Sequence, residues 1–223
     1  EAVALWRPDL IVAPFLKRAI PEAVWRHTVC LVVHPGIVGD RGPSALDWAI
    51  VDGEREWGVT VLQAEAKLDA GPVWAAETFA LRDATKSSLY RNEVTEGAAR
   101  AVVAAVQRFA AVGTPPGSAA AGRRGRWRPP MKQADRCIDW QRDDTGTVLR
   151  RIRAADGMPG VLDQLFGVPC HLFDAHPEAL AQPGPPGRLI GRRHEAVLRA
   201  TVDGAVWIGH VRRTDRDSAF KLP

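Results

Sequence analysis

At 223 residues, 46% hydrophobic and 25% charged, the chain is long enough to bury one large core or two modest ones and has the balance of a globular protein. No apolar run approaches the roughly 20 residues of a membrane helix, and the first residues show no basic n-region or cleavage pattern, so a cytoplasmic protein with no membrane partner is expected. Residues 1–110 carry a net charge of −2 and residues 111–223 one of +6; the well-separated Cys30, Cys137 and Cys170 exclude both a disulfide framework and a CxxC metal site.

Leu10-Ile-Val-Ala13, a short run with β-branched residues, reads as a buried strand of a parallel sheet. Ile20-Pro21-Glu22 opens a short helix with proline in its first turn. A second apolar run, Thr28 to Val33, stops at His34-Pro35-Gly36 and so places the histidine at a strand's C-terminal end, the edge where open α/β sheets bind ligands. A glycine-rich loop follows through Pro43. Ser44 is a candidate N-cap, with Asp47 as its acidic partner, for a helix reaching the turn at Asp52-Gly53. Gly58 to Gln63 is a strand, Leu68 to Pro72 a tight turn, and Val73 to Phe79 is extended. From Thr85 an amphipathic helix is predicted to about Val112, its apolar stripe formed by Leu89, Val94, Ala98, Val102, Val106 and Phe109.

Residues 113–130, rich in glycine, proline and small side chains, read as a linker between a first domain over 1–112 and a second over 131–223. Beyond the linker the texture changes. Thr147 to Ala155 is helical, and Arg188 to Ile190, Val197 to Val202 and Val206 to Val211 are short strands, the last two joined by an Asp203-Gly204 hairpin signal. The fold class is therefore α/β, Rossmann-like, followed by a small β-rich, barrel-like domain. No metal site is expected: His171 beside Cys170, with His176 five residues on, lacks a second ligand pair.

Two side chains carry candidate chemistry. His34 stands at a strand end beside the glycine-rich loop, and Asp69 lies in the turn after the next strand, where Gly71 permits close backbone approach. Across a cleft, such a pair suits acyl-group transfer: an imidazolium donates to an oxyanion, and a carboxylate favours that charged form and helps move a proton. Spacing alone reads more simply as two turn residues that satisfy local backbone groups.

Val33-His34-Pro35-Gly36, Arg41-Gly42-Pro43, Trp57-Gly58-Val59-Thr60-Val61 and Leu68-Asp69-Ala70-Gly71, in that order, resemble the N-terminal domain shared by methionyl-tRNA formyltransferase, glycinamide ribonucleotide formyltransferase and formyl-dehydrogenase relatives. Cys137-Ile-Asp-Trp140, Ile152-Arg-Ala154 and Pro159-Gly160 resemble the C-terminal, OB- or barrel-like domain of the methionyl-tRNA enzyme. The stretches Gly36 to Ile50 and Lys86 to Glu96 resemble the HypX (HoxX) family, which takes part in nickel–iron hydrogenase maturation.

That resemblance implies a formyltransferase taking 10-formyltetrahydrofolate as donor and coenzyme A as acceptor, with carbon monoxide released for the metal centre by an enoyl-CoA-hydratase-like module beyond Pro223. It also implies that the chain begins inside its first domain, without the first strands. By carry-over, His34 polarises the formyl carbonyl and Asp69 orients and charges that histidine. Val59, Thr60, Val61, Gln63, Ala66 and Gly71 line the pterin side, while Asp40, Arg41 and Ser44 shape the acceptor side. Tyr90, Arg91 and Asn92 read more simply as a helix start. Two departures stand out: Val32 replaces the asparagine of the usual Asn-x-His, and Gly36 to Gly39 replaces the usual Ser-Leu-Leu-Pro loop. Alternatives are methionyl-tRNA formylation, hydrolysis of the formyl folate, and a non-catalytic folate- or RNA-binding module. Ten Lys/Arg between Arg123 and Arg153, interleaved with Trp127 and Trp140, read first as a solvated surface, then as a site for coenzyme A phosphates, and last as one for tRNA.

Overall fold

A computed structural model describes residues 2–16, 18–115, 125–182 and 184–215. They fall into two compact units, one of residues 1–46, 55–82 and 89–130, the other of 47–54, 83–88 and 131–223. The middle of the expected linker, 116–124, and the start of the basic stretch, Arg123 and Arg124, lie outside the described residues. Residues 125–130 belong to the first unit, so this part of the expected linker is a segment of that unit.

The first unit is built on a four-stranded sheet in the order β1 (Leu10–Pro14), β2 (Val29–His34), β3 (Glu56–Gln63), β4 (Val73–Ala80). Only β1 and β2 run parallel; β3 is antiparallel to both of its neighbours. Apolar runs mark burial but carry no direction, so the expected parallel sheet is a mixed one. The run Leu10 to Ala13, expected to be buried, is half-exposed because β1 ends the strand order among the described residues.

Ahead of β1 stands α1 (Ala2–Trp6), and α2 (Glu22–Trp25) and α3 (Ala45–Asp52) follow β1 and β2. Then α4 (Lys86–Leu89) passes through a π-helical turn, Tyr90–Val94, into α5 (Thr95–Val112), which packs on β3 and β4. The predicted stripe holds at Leu89, Val94 and Ala98 and then departs. Steps of four residues drift by about 40° each on a 3.6-residue helix, which carries Val102 and Val106 off the buried face. The buried face of α5 is accordingly Gly97, Ala98, Ala101 and Ala105, while Val106 is exposed and Val102 half-buried. Small side chains on this face let the helix lie close to the sheet, over a core that includes Leu31, Val33, Trp57, Val59, Val61 and Trp74.

The second unit is a five-stranded antiparallel sheet, β5 (Val161–Leu165), β6 (Val168–Glu178), β9 (Ala205–Arg213), β8 (Ala196–Ala200), β7 (Leu189–Arg193) in spatial order. Its core gathers Ile138, Val148, Leu149, Ile152, Leu172, Val206 and Ile208 against α6 (Thr145–Ala155). The β5–β6 hairpin, absent from the sequence expectation, turns at Phe166-Gly167, both at positive φ as a tight hairpin requires. Between β8 and β9 the chain turns over four residues, Thr201 to Gly204, rather than the two expected at Asp203-Gly204.

That turn also fastens α6. Asp144 caps the helix by accepting from the Thr147 backbone N–H at 2.6 Å, and Asp203 accepts from the Thr145 N–H and hydroxyl, each at 2.8 Å. The bonds from Thr147 hold the Asp144 carboxyl below the usual range, and those from Thr145 do the same for Asp203. A carboxyl depressed in the folded state contributes stability above its unfolded value of about 3.9 and loses it as pH falls through the folded value. The thermal midpoint is therefore expected to drop as pH falls below about 4, and Asp203→Asn to flatten that acid limb in a calorimetric pH series.

Candidate active site

His34 closes β2 on the side of the strand shared with Val32. Its register partner is Thr60 of β3, whose hydroxyl donates to the Gly36 carbonyl at 2.8 Å and so ties down the start of the following loop. Trp57, fully buried, donates its indole N–H to the Pro35 carbonyl at 2.9 Å. The histidine is thus fixed from both flanks, and its side chain is only 4% exposed.

Each ring nitrogen faces a carboxylate. The Nε2–H donates to Asp40 Oδ2 at 3.0 Å, while Nδ1 stands 3.6 Å from Asp69 Oδ2, an ion-pair distance too long for a hydrogen bond. Asp69 itself sits at φ 51° in the turn after β3, and its Oδ2 accepts from the Gly42 N–H at 3.1 Å. Asp40 is fully buried, and its Oδ1 lies 3.2 Å from Nε of Arg128, an ion pair lacking good hydrogen-bond alignment. The Arg128 guanidinium is also buried, with Trp57's ring 5.4 Å away.

Arg128 arrives here through backbone pairing. The Arg41 N–H donates to the Arg126 carbonyl at 3.1 Å, and the Arg128 N–H to the Arg41 carbonyl at 2.8 Å, with a parallel bridge between Arg41 and Trp127. The close approach needs two glycines: a β-carbon on Gly42 would overlap the Arg128 carbonyl oxygen, and one on Gly125 the Asp40 backbone. Gly42 is further committed by its φ of +115°, which side chains rarely adopt. Gly42→Ala is expected to cost about 2–4 kcal/mol, read as a lowered urea midpoint at unchanged slope.

The other expected site residues lie in β3, in the turn after it and in the loop after β2. Val59, Thr60 and Val61 are fully buried in β3, and Thr60 and Val61 pair with β2 on one side and β4 on the other. Gln63, half-buried at the strand's end, accepts from the Trp74 indole at 3.2 Å. Ala66 is exposed in the turn and Gly71 backs onto the Gln63 carbonyl. Arg41 and Ser44 are half-buried along the loop from His34 to α3. Of the acceptor-side expectations, Asp40 is hydrogen-bonded to the histidine. Tyr90 packs edge-on against Phe15 at 5.8 Å, and Arg91 and Asn92 are exposed within the π-turn. Nothing in the sequence singles out Arg128; its one signal is membership of the basic stretch Arg123 to Arg153, which reads first as a solvated surface. In the other unit, His176 and His210 both bond Asp174, whose carboxyl is pushed up by burial but held below its usual range on balance by those two rings. Among the described residues, no three His, Cys, Asp or Glu side chains are grouped to hold a metal ion.

Comparisons with known proteins converge on one family. The formyl transferase family model matches residues 1–106, and the formyl transferase C-terminal domain model matches 130–219. Hydrogenase maturation factor HoxX of Bradyrhizobium diazoefficiens is 58% identical over 100% of this chain and 39% of its own length. The crystal structure of HypX from Aquifex aeolicus in complex with tetrahydrofolic acid is 48% identical and superposes with a TM-score of 0.89, covering 100% of this chain and 38% of that one. Methionyl-tRNA formyltransferase of Syntrophus aciditrophicus is 25% identical over 94% of this chain and 67% of its own length. The chain therefore spans about two fifths of the length of its HoxX and HypX relatives.

Proposed function

The chain belongs to the formyl transferase family, in its HypX/HoxX hydrogenase-maturation branch, and from that footing we propose that it transfers the formyl group of 10-formyltetrahydrofolate to the thiol of coenzyme A. The observation that carries this reading is the buried His34 held between Asp69 and Asp40 at the end of β2. The tetrahydrofolic acid in the related HypX crystal structure supports a folate donor here.

In the proposed step the coenzyme A sulfur attacks the formyl carbon. The carbonyl oxygen gathers negative charge, which the Nε2–H of His34 stabilises by hydrogen bonding. The C–N10 bond then breaks. The thiol's proton passes to N10 by way of Asp69, yielding a formyl thioester and tetrahydrofolate. Asp69 supports the ring's positive charge from the Nδ1 side. Gln63, Ala66 and Gly71, where β3 ends and its turn begins, form the pterin side, with Val59 to Val61 as the buried wall behind. Arg41 and Ser44 lie toward the acceptor. The product would serve carbon monoxide supply to the hydrogenase maturation machinery in the cytoplasm; no helix among the described residues is long and apolar enough to cross a membrane.

The purified protein carrying this sequence, given 10-formyltetrahydrofolate with coenzyme A or initiator methionyl-tRNA in parallel, is expected to release tetrahydrofolate with coenzyme A alone. Formylation of the tRNA instead would move the assignment to the translation enzyme. Silence with both acceptors would leave a folate-binding module as the better account.

A further inference from the structure

The Asp40–Arg128 pair plays no part in the histidine–aspartate chemistry just described, yet both groups are buried against the reacting histidine. Ion pairs so enclosed are seldom retained for stability, since apolar residues of the same volume serve as well. What this pair does to His34 follows from its contacts. A carboxylate only accepts hydrogen bonds, so Asp40 takes the Nε2–H at 3.0 Å, and Asp40 is itself paired with Arg128 at 3.2 Å. The histidine, the carboxylate and the guanidinium so form a chain of contacts in a place nearly closed to water.

Resting on the formyl-transfer reading, we propose that Asp40 and Arg128 are a positioning pair for His34. Asp40 holds the Nε2 proton until substrate arrives and yields it to the formyl oxygen; Arg128 fixes Asp40 in place and takes it up on release. No bond other than hydrogen bonds is made or broken. The charged groups that face the ring are Asp40 from the loop after β2 and Asp69 from the turn after β3, with Arg128 of the returning segment behind Asp40. The paired strand β3 brings only Thr60, which does not titrate.

Opposite charges make the test directional. Asp40→Asn removes a negative neighbour and leaves Arg128, so the ring should give up its proton at lower pH, by about one unit or more. Arg128→Met removes the positive neighbour and should move the same event to higher pH. The double variant Asp40→Asn/Arg128→Met should return close to native. Two readouts apply: nitrogen-15 NMR of the His34 ring, and the alkaline limb of the pH–rate profile for tetrahydrofolate release. A purely structural pair would lower stability in both single variants without moving the ring in opposite directions, and that outcome overturns the proposal. Should Arg128→Met fail to fold, comparing Asp40→Asn with the double variant gives the same sign, since those two differ only in the charge at Arg128. The NMR arm needs no turnover. A native protein that releases no tetrahydrofolate therefore refutes the formyl-transfer reading, while the ring shifts still judge the pair.

Discussion

Replacing His34 by alanine is expected to lower tetrahydrofolate release about 10³-fold while leaving folate affinity within a few-fold of native. The effect is one of differential stabilisation: the Nε2–H acts on charge that exists only as the tetrahedral intermediate forms, so its loss falls on turnover more than on binding. The fold should survive, because Asp40 keeps Arg128 as its counterion and Asp69 keeps the Gly42 N–H. Single-turnover rates and equilibrium folate binding, measured on the same preparation, check both halves. A variant retaining more than about a tenth of the native rate, well above the loss expected for a missing oxyanion donor, would remove His34 from the chemistry.

Trp57→Ala is expected to be the most destabilising single change in the first unit, at about 3–5 kcal/mol for a large buried aromatic. Trp57 is fully buried in β3, its indole N–H holds the Pro35 carbonyl beside His34, and its ring lies under the Arg128 guanidinium. Removing it leaves a cavity, an unsatisfied carbonyl and an unsupported buried charge at one place. Trp57→Phe keeps most of the volume and loses the N–H, so it should cost about 1–3 kcal/mol, chiefly for the stranded Pro35 carbonyl. Urea denaturation of both variants distinguishes the contributions. Equal costs would mean that the hydrogen bond, and not the volume, holds the loop.

The order of elements in the first unit was legible because each strand of its sheet is a short apolar run ended by a turn signal. His34 and Asp69 could be singled out for the same reason: a histidine where a buried strand stops and an aspartate in a tight turn are local features. What could not be read locally is what lies against them. Arg128 reaches Asp40 only because residues 125–128 return to pair with the loop at Arg41, and nothing in the composition of that stretch distinguishes a docked strand-like segment from a linker. Strand direction was similarly hidden, since β3 and β4 have the same apolar character whether parallel or antiparallel. On α5 the buried face continues from Val94 and Ala98 through Ala101 and Ala105 at ordinary helical spacing, but their small size made them look like filler beside Val102 and Val106. In the second unit the β5–β6 hairpin was obscured because Leu162 and Phe166 face outward, breaking the alternation that signals a half-buried strand.

The site's unusual feature is the second carboxylate. One aspartate beside a histidine suffices to orient and charge it; here Asp40 makes the shorter contact and Asp69 the longer one. The longer contact is compatible with chemistry, because hydrogen bonds in a catalytic group often tighten only once substrate is bound. The arrangement also explains why Gly42 matters to both sides of the ring: its N–H orients Asp69, and its missing side chain lets the Arg128 backbone through.

The most direct test of formyl transfer at His34 follows the formyl carbon itself. With 10-formyltetrahydrofolate carrying carbon-13 in its formyl group, the label is expected to appear in a thioester when coenzyme A is present, and to stay on the folate when coenzyme A is omitted or His34 is replaced by alanine. Label released as formate at the same rate with or without coenzyme A would contradict the account.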